Sequence, residues 1–195
     1  MTSPPMNVLY LIGPPASGKS TLMAHLTREA TRTPHPNHPI PHDHPTYPNA
    51  TTAAELGTQR PNFPGTDTLS MSINPTATTS LTDGTWDHLD HLLGEGDRLA
   101  NTQFLLTAHT HHPLTVLYLH APPDLTHKRT QQRGTNQSAT WVRGRQTKTE
   151  RLAALLDAHG VTVHELPAHH PPDRLAEQAR TLAHLPTPTK EEPHP

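Results

Sequence analysis

Residues 7–20 have the sequence NVLYLIGPPASGKS, and this stretch decides the fold of the 195-residue chain. Its first six residues form a continuous apolar run, which is typical of a strand buried on both faces of a parallel sheet. The last eight residues, GPPASGKS, match the pattern G-x-x-x-x-G-K-S/T at each fixed position. A predicted helix follows over residues 19–31, so the motif lies between a strand and a helix, as its chemistry requires.

This motif predicts a phosphate-binding loop. The backbone amides of such a loop and the N-terminus of the following helix form a nest for an anion. We expect Lys19 to contact the β- and γ-phosphates of ATP and Ser20 to ligate Mg²⁺. A chance match is the alternative, and the flanking strand and helix disfavour it. The predicted nucleotide-binding residues are Gly13, Pro14, Pro15, Ala16, Ser17, Gly18, Lys19, Ser20 and Thr21.

Length and composition bound the class of protein. A chain of 195 residues fits one domain, which we predict over residues 1–185 with a disordered tail over 186–195. The absence of cysteine excludes a disulfide scaffold, a thiolate zinc site and a cysteine nucleophile. A net charge of -2 provides no overall basic field to attract nucleic acid, so such binding needs a local patch. The sequence has neither a membrane-length apolar run nor a secretory signal, so we expect a cytoplasmic protein without membrane contact or an obligate protein partner.

Four further segments are predicted strands. Residues 114–120 (LTVLYLH) and 161–166 (VTVHEL) are clear strands, whereas 51–56 and 91–94 are weaker. Predicted helices lie between them. Because alternating strands and helices build a parallel sheet with right-handed crossovers, we predict an α/β fold of the three-layer P-loop NTPase type. Its central, mostly parallel sheet is expected to have five strands.

The histidine and proline contents, 18 and 23 residues, are unusually high. Residues 33–48 alternate prolines with other residues, which opposes both a helix and ladder pairing, so we predict a surface insert there. Imidazoles bind Zn²⁺ or Ni²⁺, but a proline-rich backbone does not preorganise a metal site, and C-rich codons explain the composition. We therefore predict no physiological metal at the four neighbouring histidines of the insert, His35, His38, His42 and His44.

A basic segment follows the strand at 114–120. Residues 133–146 are polar and contain glycine, and this composition predicts a loop. Phosphoryl transfer spreads negative charge over several oxygens, which positioned cations stabilise. A lid over ATP is one interpretation of residues 129–148, and an exposed, solvated basic loop is the other. The segment has no acidic residue, and its cations are Arg129, Arg133, Arg143, Arg145 and Lys148.

The strand LTVLYLH at 114–120, the following APPD and the basic segment resemble the small P-loop kinases, a group that includes polynucleotide kinase, zeta toxin and gluconate kinase. In that group, a strand of the type L-x-L-x-x-P precedes a helix and an arginine-bearing lid that closes over ATP. The resemblance implies a kinase that uses ATP and Mg²⁺. It also favours the lid interpretation of residues 129–148, with Arg129, Arg133, Arg143 and Arg145 as catalytic cations.

Two carboxylate-bearing stretches gain candidate roles from this resemblance. Many small kinases carry a hydroxyl-activating aspartate where this chain has Asp67, after the weak strand at 51–56. Asp67 is therefore a candidate base, and the alternative is an N-cap of a helix over 68–72. P-loop proteins keep a Mg²⁺-side carboxylate where this chain has Glu95 and Asp97, and the sequence does not separate the two.

The second stretch, EGDR at 95–98, also looks like the segment with which zeta toxins hold their substrate. Glu95, Asp97 and Arg98 are accordingly candidate substrate-binding residues. Ser20 and Asp97 are the candidate metal ligands. The alternative is a simple turn at Gly96.

Residues 57–71, 95–101 and 133–148 together resemble phage and actinobacterial P-loop proteins labelled "AAA family ATPase". Some phage kinases of similar build phosphorylate 5-hydroxymethyluracil within DNA. The resemblance implies a nucleotide or a hydroxymethylated base in DNA as acceptor, in a bacterial or phage-infected cell. The side chains that could stack on a base or bind it through charge and polar contacts are Arg60, Phe63, Gln137 and Trp141. Phe63 and Trp141 could instead be core residues.

The leading hypothesis is a P-loop kinase with Asp67 as base and with Lys19 and the lid arginines as charge-stabilising groups. A small-metabolite kinase is the first alternative, and it is distinguishable because it would need no DNA for turnover. A non-catalytic or regulatory NTP-binding module is the second, and the weak strand at 91–94 is the feature that favours it.

Overall fold

A computed structural model describes residues 5–58, 65–132 and 138–187. Strands and helices alternate along these residues, as the sequence predicts. The strands are β1 (Asn7–Ile12), β2 (Thr31–His35), β3 (His42–Thr46), β4 (Ala53–Leu56), β5 (His91–Glu95), β6 (Leu114–His120) and β7 (Val163–Pro167). The helices are α1 (Lys19–Leu26), α2 (Asn74–Ser80), α3 (Thr102–His111), α4 (Pro123–Gln132), α5 (Ala139–Ala158) and α6 (Pro172–Ala183), with a 3₁₀ turn, η1, at Gly65–Thr68.

The strands form one sheet in the order β2-β3-β4-β5-β1-β6-β7. The five strands from β4 to β7 are parallel, which confirms the predicted α/β fold with a mostly parallel sheet. The sheet is larger than predicted, because β2 and β3 add two antiparallel strands at one edge and bring the number of strands among the described residues to seven.

Strand β1 is central, and its side chains alternate between two cores. Tyr10 packs with Phe104 of α3 and Leu152 of α5 on one face, whereas Leu11 packs with Leu22 of α1 on the other. Helices therefore cover both faces of the sheet. The weak segment at 91–94 is also a fully buried central strand, β5, despite its low apolar content.

The prediction that prolines prevent ladder pairing over residues 33–48 is wrong. Strands β2 and β3 form an antiparallel hairpin in which Pro34 is opposite Asp43 and Pro45 is opposite Arg32. In an antiparallel ladder, pairs of opposite residues alternate between pairs that exchange backbone hydrogen bonds and pairs that exchange none. The two pairs that contain proline are two positions apart, so both are of the same kind. A missing N–H is tolerated in pairs that exchange no hydrogen bonds.

An ion-pair network fixes the hairpin to the rest of the sheet. Arg32 Nη1 lies 3.2 Å from Asp43 Oδ2, and Arg32 Nη2 lies 2.5 Å from Glu55 Oε2 on β4. Arg32 also donates to the hydroxyl of Thr27 after α1. Both carboxylates are buried, so the guanidinium compensates their charge where water cannot.

Two predicted boundaries are wrong. Helix α1 ends at Leu26 rather than near residue 31, because the chain turns there into β2. The predicted loop over 133–146 is helical from residue 139 onwards, because the Ser138 hydroxyl accepts a hydrogen bond from the Trp141 amide and caps α5. Within the described residues, no helix combines the length and apolar character needed to cross a membrane.

Candidate active site

The phosphate-binding loop joins the carboxyl end of β1 to the first turn of α1, as predicted. Lys19 Nζ lies across the loop and donates to the carbonyls of Gly13, at 3.0 Å, and Pro14, at 3.1 Å. The buried hydroxyl of Ser17 has no hydrogen-bond partner among the described residues. The loop therefore places the Lys19 ammonium group at the site where a phosphate is expected, whereas the Ser17 hydroxyl is buried.

A serine–carboxylate pair lies beside this loop. Ser20 Oγ donates to Glu95 Oε1 at 2.8 Å, which connects α1 to the end of β5. Burial raises the pKa of Glu95 to about 7, although the Lys19 charge and the Ser20 hydrogen bond both lower it. Hydroxyl and carboxylate oxygens are ligands that Mg²⁺ accepts, so the pair fits a magnesium site.

The turn η1 is pressed against the end of β5. Thr66 Oγ1 donates to the Glu95 carbonyl at 2.8 Å, and the buried Tyr10 hydroxyl donates to the Gly96 carbonyl at 3.0 Å. A Cβ at Gly65 would lie 2.5 Å from Glu95 Oε1, so only glycine permits this approach. These contacts fix the Glu95 backbone and the height of η1 above it.

Asp67 projects from η1 at the edge of this site. Its carboxylate Oδ1 accepts a hydrogen bond from the Asp97 amide at 2.9 Å, and the residue is exposed. Helix α2 begins only at Asn74, so the alternative that Asp67 caps a helix over 68–72 is wrong. The carboxylate is therefore held in place by the Asp97 amide and remains open to solvent.

Asp97 makes a different contact from Glu95. Its Oδ2 lies 2.7 Å from Arg145 Nη1 of α5, in an ion pair that is about one-third exposed. The Arg145 guanidinium also lies 5.1 Å from the centroid of the Trp141 ring. Trp141 is 40% exposed, so it is not a core residue. Helix α5 thus presents a cation and an aromatic face beside Asp97 and Asp67.

Helix α5 also supplies a second lysine near the loop. Lys148 lines the same cavity as Gly13, Lys19 and Asp97, so a second lysine of the chain lies close to the loop. A groove on the outer face of α5 is lined by Thr140, Arg143, Gly144, Thr147, Lys148 and Arg151. Of the predicted basic segment, residues 139–148 therefore belong to helix α5, and Lys148 brings that helix close to the loop.

Arg129 of α4 contacts the backbone of the phosphate-binding loop. Its guanidinium donates to the Ser17 carbonyl at 2.9 Å and to the Ala168 carbonyl at 3.0 Å. These contacts tie the loop to the segment after β7. They identify Arg129 as a residue that positions the loop through its carbonyls.

The remaining predicted residues have other surroundings. The guanidinium of Arg98 contacts the Met71 thioether. Sequence reasoning missed Tyr10, whose hydroxyl on an otherwise apolar strand was the available signal. Candidate residues that lie outside the described residues are Arg60, Phe63, Arg133 and Gln137.

Comparisons with known proteins give one family match and several structural neighbours. The family described as P-loop Nucleotide Kinase3 matches residues 5–181. A sugar kinase from a Janibacter species has 18% identity and a TM-score of 0.54, and the match covers 93% of this chain and 96% of that one. Deoxyadenosine kinase from M. mycoides has 9% identity and a TM-score of 0.49, over 89% and 97% of the two chains. Shikimate kinase from Acinetobacter baumannii has 14% identity and a TM-score of 0.42, over 90% of each chain. No curated protein matches the sequence.

Proposed function

Because the chain belongs to the P-loop nucleotide kinase3 family, we propose that it transfers the γ-phosphate of ATP to an acceptor hydroxyl. The expected resemblance to P-loop kinases is thereby confirmed at the level of the family. The single observation that carries the proposal is the Ser20–Glu95 hydrogen bond beside Lys19. It joins a phosphate-binding loop to a carboxylate on the neighbouring strand, which is the arrangement that a metal–nucleotide complex requires.

The amides of the loop and Lys19 hold the phosphates of ATP. Lys19 exchanges its contacts with the Gly13 and Pro14 carbonyls for phosphate oxygens. Arg129 keeps the loop in shape through the Ser17 carbonyl.

We assign Ser20 and Glu95 to Mg²⁺, in place of Ser20 and Asp97. Glu95 accepts directly from Ser20, whereas the Asp97 carboxylate is paired with Arg145. When bound, Mg²⁺ neutralises charge on the β- and γ-phosphates.

Asp67 is the proposed base. As the acceptor oxygen bonds to the γ-phosphorus, its proton moves to the Asp67 carboxylate, and the bond between the γ-phosphorus and the bridging oxygen breaks to release ADP. The Asp97 amide holds the Asp67 carboxylate in place, and because Asp67 is exposed, an acceptor has room to approach it. Lys19 and Lys148 stabilise the charge that develops on the transferring group.

A nucleotide or a hydroxymethylated base in DNA is the proposed acceptor, with 5-hydroxymethyluracil as the concrete candidate. The exposed Trp141 ring offers a stacking surface for a base beside Arg145, and Arg143 and Lys148 border a groove suited to phosphates. A small metabolite is the alternative acceptor. It would use Asp67 as the base but would not need the stacking surface of Trp141.

Label transfer from γ-labelled ATP tests the function. The protein is incubated with panels of nucleosides, nucleotides, small polyols and acids, and DNA that contains 5-hydroxymethyluracil. We expect label on a nucleotide or on the modified DNA. Label on a small polyol or acid would support the alternative acceptor. Tight ATP binding without transfer to any acceptor would instead favour a non-catalytic NTP-binding module.

A further inference from the structure

The β2–β3 hairpin brings three imidazoles together away from the phosphate-binding loop. His35 of β2 is directly opposite His42 of β3, and His44 lies two residues further along β3, on the same face as His42. One ring nitrogen from each of the three histidines lies within 4.8 Å of the other two. The rings of His35 and His42 are stacked, with their centroids 4.9 Å apart.

We propose that His35, His42 and His44 bind one divalent transition-metal ion, of which Zn²⁺ is the physiological candidate. Imidazole ligands select zinc, copper and nickel over magnesium and calcium. Zinc at about 2.0–2.1 Å from each nitrogen requires the nitrogens to lie about 3.4 Å apart in a tetrahedron. His35 is exposed and His44 is half-buried, so side-chain rotation can close the remaining gap. A tetrahedral ion would take its fourth ligand from water.

His42 already makes the supporting contact that orients a metal-binding imidazole. Its Nδ1 donates to the Ile40 carbonyl at 2.9 Å, because a carbonyl can only accept, and Nε2 is therefore the nitrogen that can bind a metal. The Trp86 ring packs edge-on against His42, with centroids 5.1 Å apart, and fixes the imidazole plane.

This site revises the expectation that a proline-rich backbone leaves the histidines unorganised. The antiparallel register aligns them, and the prolines occupy pairs that do not disturb it. A metal ion there would cross-link β2, the edge strand, to β3. The proposal does not depend on the kinase activity, since its ligands are separate from Ser20, Glu95 and Asp67.

Zinc binding to the tag-free full-length protein tests the proposal. We expect competition with a chromogenic chelator to show one tight site per chain, and Zn²⁺ to raise the melting temperature. His35→Gln and His44→Gln should each weaken that site at least about 100-fold, more than loss of a residue that only supports a ligand does. Both side chains lie at or near the surface, whereas His42 is buried and its variant could unfold.

His109→Gln is the matched control, because it removes an exposed histidine from α3. It should retain the affinity of the wild-type protein. Co²⁺ in place of Zn²⁺ should give the visible absorption of a tetrahedral site in the wild-type protein and lose it in the His35→Gln variant. Equal Zn²⁺ affinity in the wild-type protein and in both hairpin variants, or the absence of any site tighter than that of free imidazole, would overturn the proposal.

Discussion

Ser20 Oγ lies 2.8 Å from Glu95 Oε1, and this hydrogen bond joins the first turn of the helix after the phosphate-binding loop to the end of the neighbouring strand. The strand register places Glu95 opposite Leu11, two residues before the loop begins at Gly13. Any ligand that draws Ser20 towards a metal must therefore also act on the protonation of Glu95.

Lys19→Ala should nearly abolish phosphoryl transfer. A cation on the β- and γ-phosphates contributes several kcal/mol to the transition state, and about 1.4 kcal/mol corresponds to a tenfold change in rate. We expect more than a 100-fold loss in the label-transfer rate. Lys128→Ala removes an exposed lysine of α4 and serves as the control. Retention of more than a tenth of the turnover would remove Lys19 from the mechanism.

The titration of Glu95 should make the stability of the nucleotide-free protein depend on pH. Burial raises the pKa from 4.5 to about 7, so between these values the folded state binds more protons than the unfolded state. The free energy of unfolding should fall as pH rises through this window, by roughly 1.4 kcal/mol for each unit of pKa shift. Glu95→Gln should lose this decline and exceed the wild-type stability at pH 8, as measured by urea unfolding.

Nucleotide binding should show the opposite dependence on the same titration. Only ionised Glu95 can ligate Mg²⁺, so the affinity for ATP in the presence of Mg²⁺ should weaken as pH falls below about 7. The same titration with EDTA should be flatter. An unchanged pH profile in the Glu95→Gln protein would show that another group is responsible, and Asp97→Asn would then be examined.

The sequence predicts the parallel core and the loop because both depend on local pattern: an apolar run, a glycine-rich motif and a helix. It does not separate Glu95 from Asp97, since Glu95 is the last residue of β5 and Asp97 lies only two residues further on. The choice depends on which side chain contacts Ser20 of α1 and which contacts Arg145 of α5, and these contacts are set by the tertiary structure.

The hairpin escapes sequence-based prediction for a related reason. Proline opposes pairing only where its N–H is needed, and the parity of Pro34 and Pro45 becomes apparent only when the register is known. The start of α5 was predictable, because Ser138 is a good N-cap residue, but the basic and glycine-containing composition of the segment suggested a loop.

Asp67→Asn tests the base. The amide oxygen can still accept from the Asp97 N–H, so the local structure should be retained while the proton acceptor is lost. We expect the transfer rate to fall by about 10²–10⁴, with the ATP dissociation constant within a few-fold of the wild-type value. Asp87→Asn, at another exposed aspartate, is the control. Full activity of the Asp67→Asn protein would assign the proton to a different group.

Arg32→Met should destabilise the fold. Without the guanidinium, the buried Asp43 carboxylate loses its ion pair, which costs about 3–5 kcal/mol for a buried pair. Arg28→Met breaks the surface pair with Asp173 and should cost less than about 1 kcal/mol. Urea unfolding of the two variants measures the difference. Equal stability would mean that the Arg32 network adds little to the attachment of the hairpin.

Substitutions of three arginines of the predicted lid should have different kinetic effects. Arg129 holds the Ser17 carbonyl, so Arg129→Ala should weaken ATP binding and lower the rate together. Arg145 contacts Asp97 and Trp141 beside the proposed acceptor site, so Arg145→Ala should raise the acceptor KM with little change in ATP affinity. Arg143 is exposed in the outer groove, so for a DNA acceptor its loss should flatten the salt dependence of turnover.

Limited trypsin digestion provides an independent measurement on the same lid variants. If residues 129–148 close over bound ATP, nucleotide and Mg²⁺ should slow cleavage within this segment, because a closed segment is less accessible to the protease. The protection should be weaker in the Arg129→Ala protein, whose loop has lost its support from α4. Cleavage that is indifferent to nucleotide, combined with full activity of all three variants, would leave the kinase mechanism to Lys19, Glu95 and Asp67 without a lid.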